Sequence, residues 1–155
     1  MDLSPDWVVG FVDGEGCFYV GFNEHPEMKT GIQVLPEFRV VQHKRDIQVL
    51  YGLKRFFKHG VVRQNHDDRW ELRIRKLEGL KPVINFFRKH PLKTKKSVDF
   101  QKFAKIIHLI ELKKHLTIEG LLEIIEIAKK MNTGKSRKLD EILIEIKQKV
   151  ESSKG

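Results

Sequence analysis

The chain has 155 residues, enough for one domain with a real core. Hydrophobic residues at 40% and charged residues at 33% give the balance of a globular protein. The formal charge of +9 and pI near 9.7 favour a polyanionic partner, nucleic acid first, although a generic basic protein such as a ribosomal one shares that signature. One cysteine, Cys17, excludes an internal disulfide framework and a cysteine-rich zinc site. The stretch from Met1 to Trp7 shows neither a basic start nor an apolar run, and no apolar run approaches the roughly 20 residues of a membrane span. The expectation is an intracellular protein, cytoplasmic or organellar, with no membrane partner.

Taken in order, Ser4-Pro5 predicts a helix start, with Ser4 as N-cap and Pro5 in the first turn. That helix should run to about Gly14, with Val8, Phe11 and Val12 toward a core. Cys17 to Asn23 alternates as a strand, a loop containing Pro26 follows, and a second strand runs from about Ile32 to Gln42. Val34, Phe38 and Val40 take one face of it and Gln33, Leu35, Glu37 and Arg39 the other, while Pro36 argues for an edge or a bulge. Asp46 is expected to cap a helix over Ile47 to Lys58, ended by His59-Gly60. Strands over Val61–Asn65 and Arg69–Arg75 flank a turn at His66-Asp67-Asp68. Helices are then expected over about 78–89, 97–115, 119–131 and 139–150, with a basic loop at Leu92-Lys93-Thr94-Lys95-Lys96 and a basic connector at 132–138. This periodicity supports an α+β class, read as a single domain over 1–155 with a core over 1–131 and the connector and last helix over 132–155.

The stretch from Val8 to Gly16, VVGFVDGEG, breaks two local rules. Gly10 and Gly14 lie one turn apart on a helix face, at a cost of about 1 kcal/mol each relative to alanine. Such glycines let another backbone approach closely. Asp13 and Glu15 stand at the helix C-terminus, where the macrodipole disfavours negative charge. A segment that defies local preference twice is a candidate functional site.

That stretch resembles the motif of the LAGLIDADG homing endonucleases, position by position: a hydrophobic, Val9, Gly10, two hydrophobics, Asp13, a small residue, an acid and Gly16. It departs from the motif with Val8 for Leu, Val9 for Ala and Glu15 for the second Asp. The motif occurs once, so the chain resembles the single-motif, homodimeric branch. The resemblance implies an αββαββα plan over about residues 7–131, with an antiparallel DNA-binding sheet and extra C-terminal helices. It implies a dimer seam through Gly10, Asp13 and Gly14, and Glu15 as metal ligand with the Gly14 carbonyl as a second. Asp13 is read as serving mainly the helix end. Mg²⁺ is the implied cofactor, with Mn²⁺ or Ca²⁺ able to substitute for binding. Hard carboxylate oxygens suit Mg²⁺, which takes only one or two protein carboxylates and keeps several waters.

Gln42 matches the family's polar residue that orients water near the metal. The basic helper often found a few positions later falls on Asp46, leaving Lys44 or Arg45 as substitutes. Lys95 aligns with the active-site lysine, with Lys93 and Lys96 as the neighbouring alternatives. On the exposed sheet face, Tyr19, Gly21, Asn23, Gln33, Arg39, Arg63, Asn65, Arg73 and Arg75 are candidates to read base edges in a major groove. Any half-exposed sheet alternates in this way, but arginines lined up along a strand repel, and a phosphate backbone would relieve them. Lys93, Lys96, Lys135 and Arg137 would add backbone contacts. The seven histidines show no zinc spacing, and Cys17 reads as a small strand residue.

The implied function is site-specific cleavage of both strands of a long, near-palindromic duplex by metal-dependent phosphodiester hydrolysis, promoting intron or intein mobility. The alternatives are an RNA-binding intron maturase, with intron RNA as partner, and a non-cleaving DNA-binding regulator on the same fold.

Overall fold

A computed structural model describes residues 1–131 and 137–154. Helix α1 spans Pro5–Glu15, and Ser4 Oγ accepts the Trp7 N–H at 3.2 Å, as its cap position predicts. Strand β1, Gly16–Glu24, follows with no loop between. Gly16 is already extended, yet its N–H still bonds the Val12 carbonyl. A Cβ on Gly16 would lie 2.6 Å from Val12 Cγ1 and 3.0 Å from the Val12 oxygen, so only glycine admits this immediate helix-to-strand turn.

Strand β2 covers Ile32–His43, helix α2 Ile47–Phe57, strand β3 Val61–His66, strand β4 Arg69–Ile74 and helix α3 Leu77–Lys89. Helices α4, α5 and α6 span Lys96–Glu111, Ile118–Ala128 and Arg137–Lys154. The four strands form one sheet in the order β1-β2-β4-β3. The β2–β4 ladder is antiparallel and runs from Phe38 opposite Ile74 to His43 opposite Arg69. Pro36 lies beyond that ladder, so its missing N–H costs no bond to β4.

Several boundaries differ from the sequence expectation. Asp46 makes no capping bond; a 3-10 turn over Lys44–Asp46 precedes α2, and His43 Nδ1 accepts the Arg45 N–H at 3.0 Å instead. Lys58, not His59-Gly60, ends α2 by adopting φ 62° and bonding the Lys54 carbonyl. Helix α4 stops at Glu111, and a 3-10 turn over Lys114–Leu116 intervenes before α5. Lys135 lies outside the described residues, as does the side chain of Arg137.

The chain divides into two compact units, Met1–Tyr19 with Pro36–Phe100 and Val20–Leu35 with Gln101–Gly155. The first has an aromatic centre. The Phe18 ring packs against Phe38 at 5.3 Å, Phe87 at 5.9 Å and Phe100 at 5.4 Å between centroids, and Phe57 meets Phe38 edge-on. In the second, Thr117 Oγ1 accepts the Gly120 N–H at 3.1 Å and starts α5. Leu121, Ile124 and Ile125 of α5 are buried, as are Ile142, Leu143 and Ile146 of α6, and Lys129 pairs with Asp140 at 2.9 Å.

The end of α1 is tied to the loop before α4. Asp13 accepts the Lys93 N–H at 2.7 Å, the Thr94 N–H at 3.1 Å and the Thr94 hydroxyl at 2.6 Å. Lys96 Nζ donates to the carbonyls of Val12 and Asp13, each at 3.1 Å. No basic residue stands in the last turn of α1, so Lys96 supplies from a distance the positive charge that a helix C-terminus favours. Burial alone would raise the Asp13 pKa; the bonds from Thr94 and Lys93 and the charge of Lys96 outweigh it and lower it below the usual 3.8.

Two outcomes follow from this junction. Gly16→Ala should lower the unfolding free energy by about 1–3 kcal/mol through overpacking against Val12, read as a lower urea midpoint at an unchanged slope. Because the folded-state pKa of Asp13 is depressed, its ionised form stabilises the fold at neutral pH, and that contribution fades as pH falls through the lowered value. Asp13→Ala should therefore cost about 2 kcal/mol at pH 7, with the gap to wild type narrowing below about pH 4. A gap that stays constant in acid would place the stabilisation elsewhere.

Candidate active site and nucleic-acid interface

Glu15 ends α1 at the surface, and Gln42 lies one residue from the end of β2. The Gln42 amide nitrogen bonds the Glu15 carboxylate at 3.3 Å and the Val41 carbonyl at 2.9 Å. The fold thus brings together two residues 27 positions apart. Among the described residues no cation pairs with Glu15, and no side chain takes up the Gly14 carbonyl. Glu15 and the Gly14 carbonyl are hard oxygen donors, which fits Mg²⁺. Among the described residues no three His, Cys, Asp or Glu side chains converge on a metal position, so a cation here would draw most of its ligands from water or a bound substrate.

The three lysines of the basic loop differ. Lys96 is half-buried and its ammonium is spent on α1 carbonyls. Lys93 and Lys95 are exposed, and among the described residues neither ammonium has a partner. Lys96, expected on DNA, reaches the orphan carbonyls at the end of α1 in this structure. Asp46 pairs with Arg45 at 3.9 Å, and Lys44 and Arg45 are both exposed. Asp13, expected at the helix end and the dimer seam, has its carboxylate bound to the chain's own loop.

Gly10 and Gly14 are exposed, and beyond its own helix turn a Cβ on either would meet no atom of the described residues within 4 Å. Among the described residues nothing uses the closeness they permit. Trp7 and Phe11 stack beside them at 4.8 Å, and Trp7 is 41% exposed.

Tyr19 is exposed at the end of the first unit's part of β1. Asn23 is exposed and Gln33 half-exposed in the second unit. The remaining candidates form a connected array on β2, β3 and β4. Glu37 pairs with Arg39 at 3.6 Å and with Arg75 at 2.9 Å. Glu71 pairs with Arg39 at 3.9 Å and Arg63 at 3.5 Å, and accepts from Asn65 at 3.2 Å. Arg73 stands opposite both Arg39 and Val61 and is in no ion pair among the described residues. Burial, then Arg75 and Arg63, disfavour its charged form. Glu37 and Glu71 were absent from the sequence candidates. Alternation placed both on the solvent face, where an acid reads as ordinary polarity; the usable signal was an acid two positions from an arginine on that face, as in Glu37/Arg39 and Glu71/Arg73. Burial raises the Cys17 thiol pKa, against the pull of Arg39 and Lys96.

Residues 8–107 match the LAGLIDADG endonuclease family. A homing endonuclease of known structure, I-TnaI, is 67% identical and superimposes with a TM-score of 0.92, over 94% of this chain and 99% of that one. I-SmaMI, solved bound to cleaved DNA, is 34% identical with a TM-score of 0.89, over 94% of this chain and 49% of that one. Another I-SmaMI structure holds an uncleaved DNA target in the presence of calcium ions. A probable intron-encoded endonuclease of Neurospora crassa is 32% identical over 142 residues, 90% of this chain and 31% of the relative. The chain thus spans about a third or less of the curated relatives it matches most strongly. The motif helix, the four-stranded antiparallel sheet and these matches place the chain in the LAGLIDADG homing endonuclease family.

Proposed function

We propose that the chain is one subunit of a homodimeric, site-specific DNA endonuclease that cuts both strands of a duplex and promotes the mobility of its own intron or intein. The observation that carries this reading is the Gln42 amide held on the Glu15 carboxylate at the exposed end of the motif helix. Mg²⁺ bound there would supply an activated water and neutralise charge on the phosphorane-like transition state. Glu15 and the Gly14 carbonyl would hold the cation, and Gln42 would orient the attacking water. Lys95, exposed and unpartnered among the described residues, screens developing charge, with Lys93 as the alternative. The arginine array presents forked donors to base edges, and Arg73 is the guanidinium left for DNA.

The single motif supports the dimer: one copy supplies one carboxylate, and a second copy related by two-fold symmetry supplies the other. The open faces of Gly10 and Gly14 are where two α1 helices would meet.

Incubation of the protein with a randomised duplex library and Mg²⁺ should yield cut products from a long, near-palindromic sequence. Glu15→Gln should remove the cutting while the selected duplex is still bound. Binding without cutting by the wild type would instead identify a regulator, and preference for structured intron RNA a maturase. Sedimentation should find a species of twice 18.2 kDa. Gly10→Ala should improve helix propensity by about 1 kcal/mol yet raise the dimer dissociation constant, because the added methyl stands where the second helix packs. Unchanged association in that variant would move the seam away from α1.

A further inference from the structure

The polar face of β2, β3 and β4 has an inverted pattern of burial. The glutamates lie deeper than the arginines around them. The side chains of Glu37 and Glu71 are 5% and 6% exposed, against 36% for Arg39, 49% for Arg63 and 50% for Arg75. Each carboxylate serves more than one partner, and Arg39 bridges the two. The β3–β4 register shifts between Gln64 and His66, which leaves Asn65 as the extra residue, and its amide turns back onto Glu71.

Stability alone does not account for the two acids. A covered ion pair is a weak stabiliser, and an apolar residue of similar size would fill the same space. Non-specific attraction to phosphates does not account for them either, since each carboxylate subtracts charge from the surface that would meet DNA. Holding the donors in place does. An arginine side chain has large rotamer freedom, and a fork fixed in advance loses less of it when it meets a base edge. A carboxylate beneath the sheet surface can grip one edge of a guanidinium and leave the remaining N–H groups facing outward.

We propose that Glu37 and Glu71 are positioning residues for sequence discrimination: together they hold Arg39, Arg63, Arg75 and Asn65 as a pre-formed surface that reads base edges of duplex DNA. The proposal rests on the DNA-cleavage reading above. It assigns the two glutamates a cost in total affinity and a gain in selectivity, so the two quantities should move in opposite directions when an acid is neutralised.

Glu71→Gln keeps shape and removes charge. Selection of bound sequences from a randomised duplex library should show about a tenfold loss of preference at the base pairs read from β3 and β4. Affinity for unrelated duplex should rise. Glu37→Gln should do the same at the base pairs affected by Arg75→Ala. Thermal unfolding of each variant separates this outcome from simple damage, which would lower both affinities together. A second variant avoids the buried positions. Arg39→Lys keeps the charge but cannot fork between two carboxylates, and its altered preferences should spread to the base pairs affected by Arg63→Ala and Arg75→Ala. Wild-type discrimination retained in Glu71→Gln, or changes in Arg39→Lys confined to base pairs untouched by the other arginine variants, would overturn the role of the glutamates. A wild-type protein that selects no sequence from the library would overturn the DNA reading itself.

Discussion

The site depends on one junction, the tie between the C-terminal turn of α1 and the loop before α4. Glu15 stands at a helix end where unsatisfied carbonyls repel it. Lys96 removes much of that penalty by binding two of those carbonyls, and the Asp13 carboxylate is satisfied by three donors from Lys93 and Thr94. What remains exposed is the carboxylate of Glu15 and the carbonyl of Gly14, the two groups suited to a hard cation. The same tie fixes where the basic loop lies. Lys93 and Lys95 therefore project from a loop whose backbone is bonded to the motif helix.

The sheet solves a related electrostatic problem with the signs reversed. Arg39, Arg63, Arg73 and Arg75 crowd the polar face around Glu37 and Glu71, and Arg39 stands directly opposite Arg73. Like charges in that position repel. Glu37 and Glu71 pair with Arg39, Arg63 and Arg75, while burial, then Arg75 and Arg63, disfavour the charged form of Arg73. In both regions the buried or half-buried acids Asp13, Glu37 and Glu71 are committed to internal donors. Glu15 is the exception, and its only described partner is a neutral amide.

Much of the fold was legible in the sequence because it is written in local signals. Ser4 and Thr117 cap their helices as their residue types predict, and the alternation of Phe18, Val20 and Phe22 and of Val34, Phe38 and Val40 marks the buried sheet face. The motif itself marked Glu15. The errors have physical causes. Asp46 read as a cap because of its type, but a 3-10 turn ahead of it took the helix entry. Lys95 read as the active-site lysine with Lys93 and Lys96 as its alternatives, and nothing local says that the Lys96 ammonium meets a helix 83 residues away. Glu37 and Glu71 were passed over because strand alternation tells which face a side chain takes and not how deeply it is covered. Pairings at long separation are beyond what periodicity records.

That separation also bears on synthesis. Asp13 finds its donors 80 residues downstream, and the carbonyls of α1 find theirs slightly later. A chain leaving the ribosome N-terminus first exposes its motif long before Lys93 to Lys96 exist. During that interval Asp13 and the carbonyls of α1 lack the donors they have in the folded chain. The junction can therefore close only after most of the first compact unit has been made.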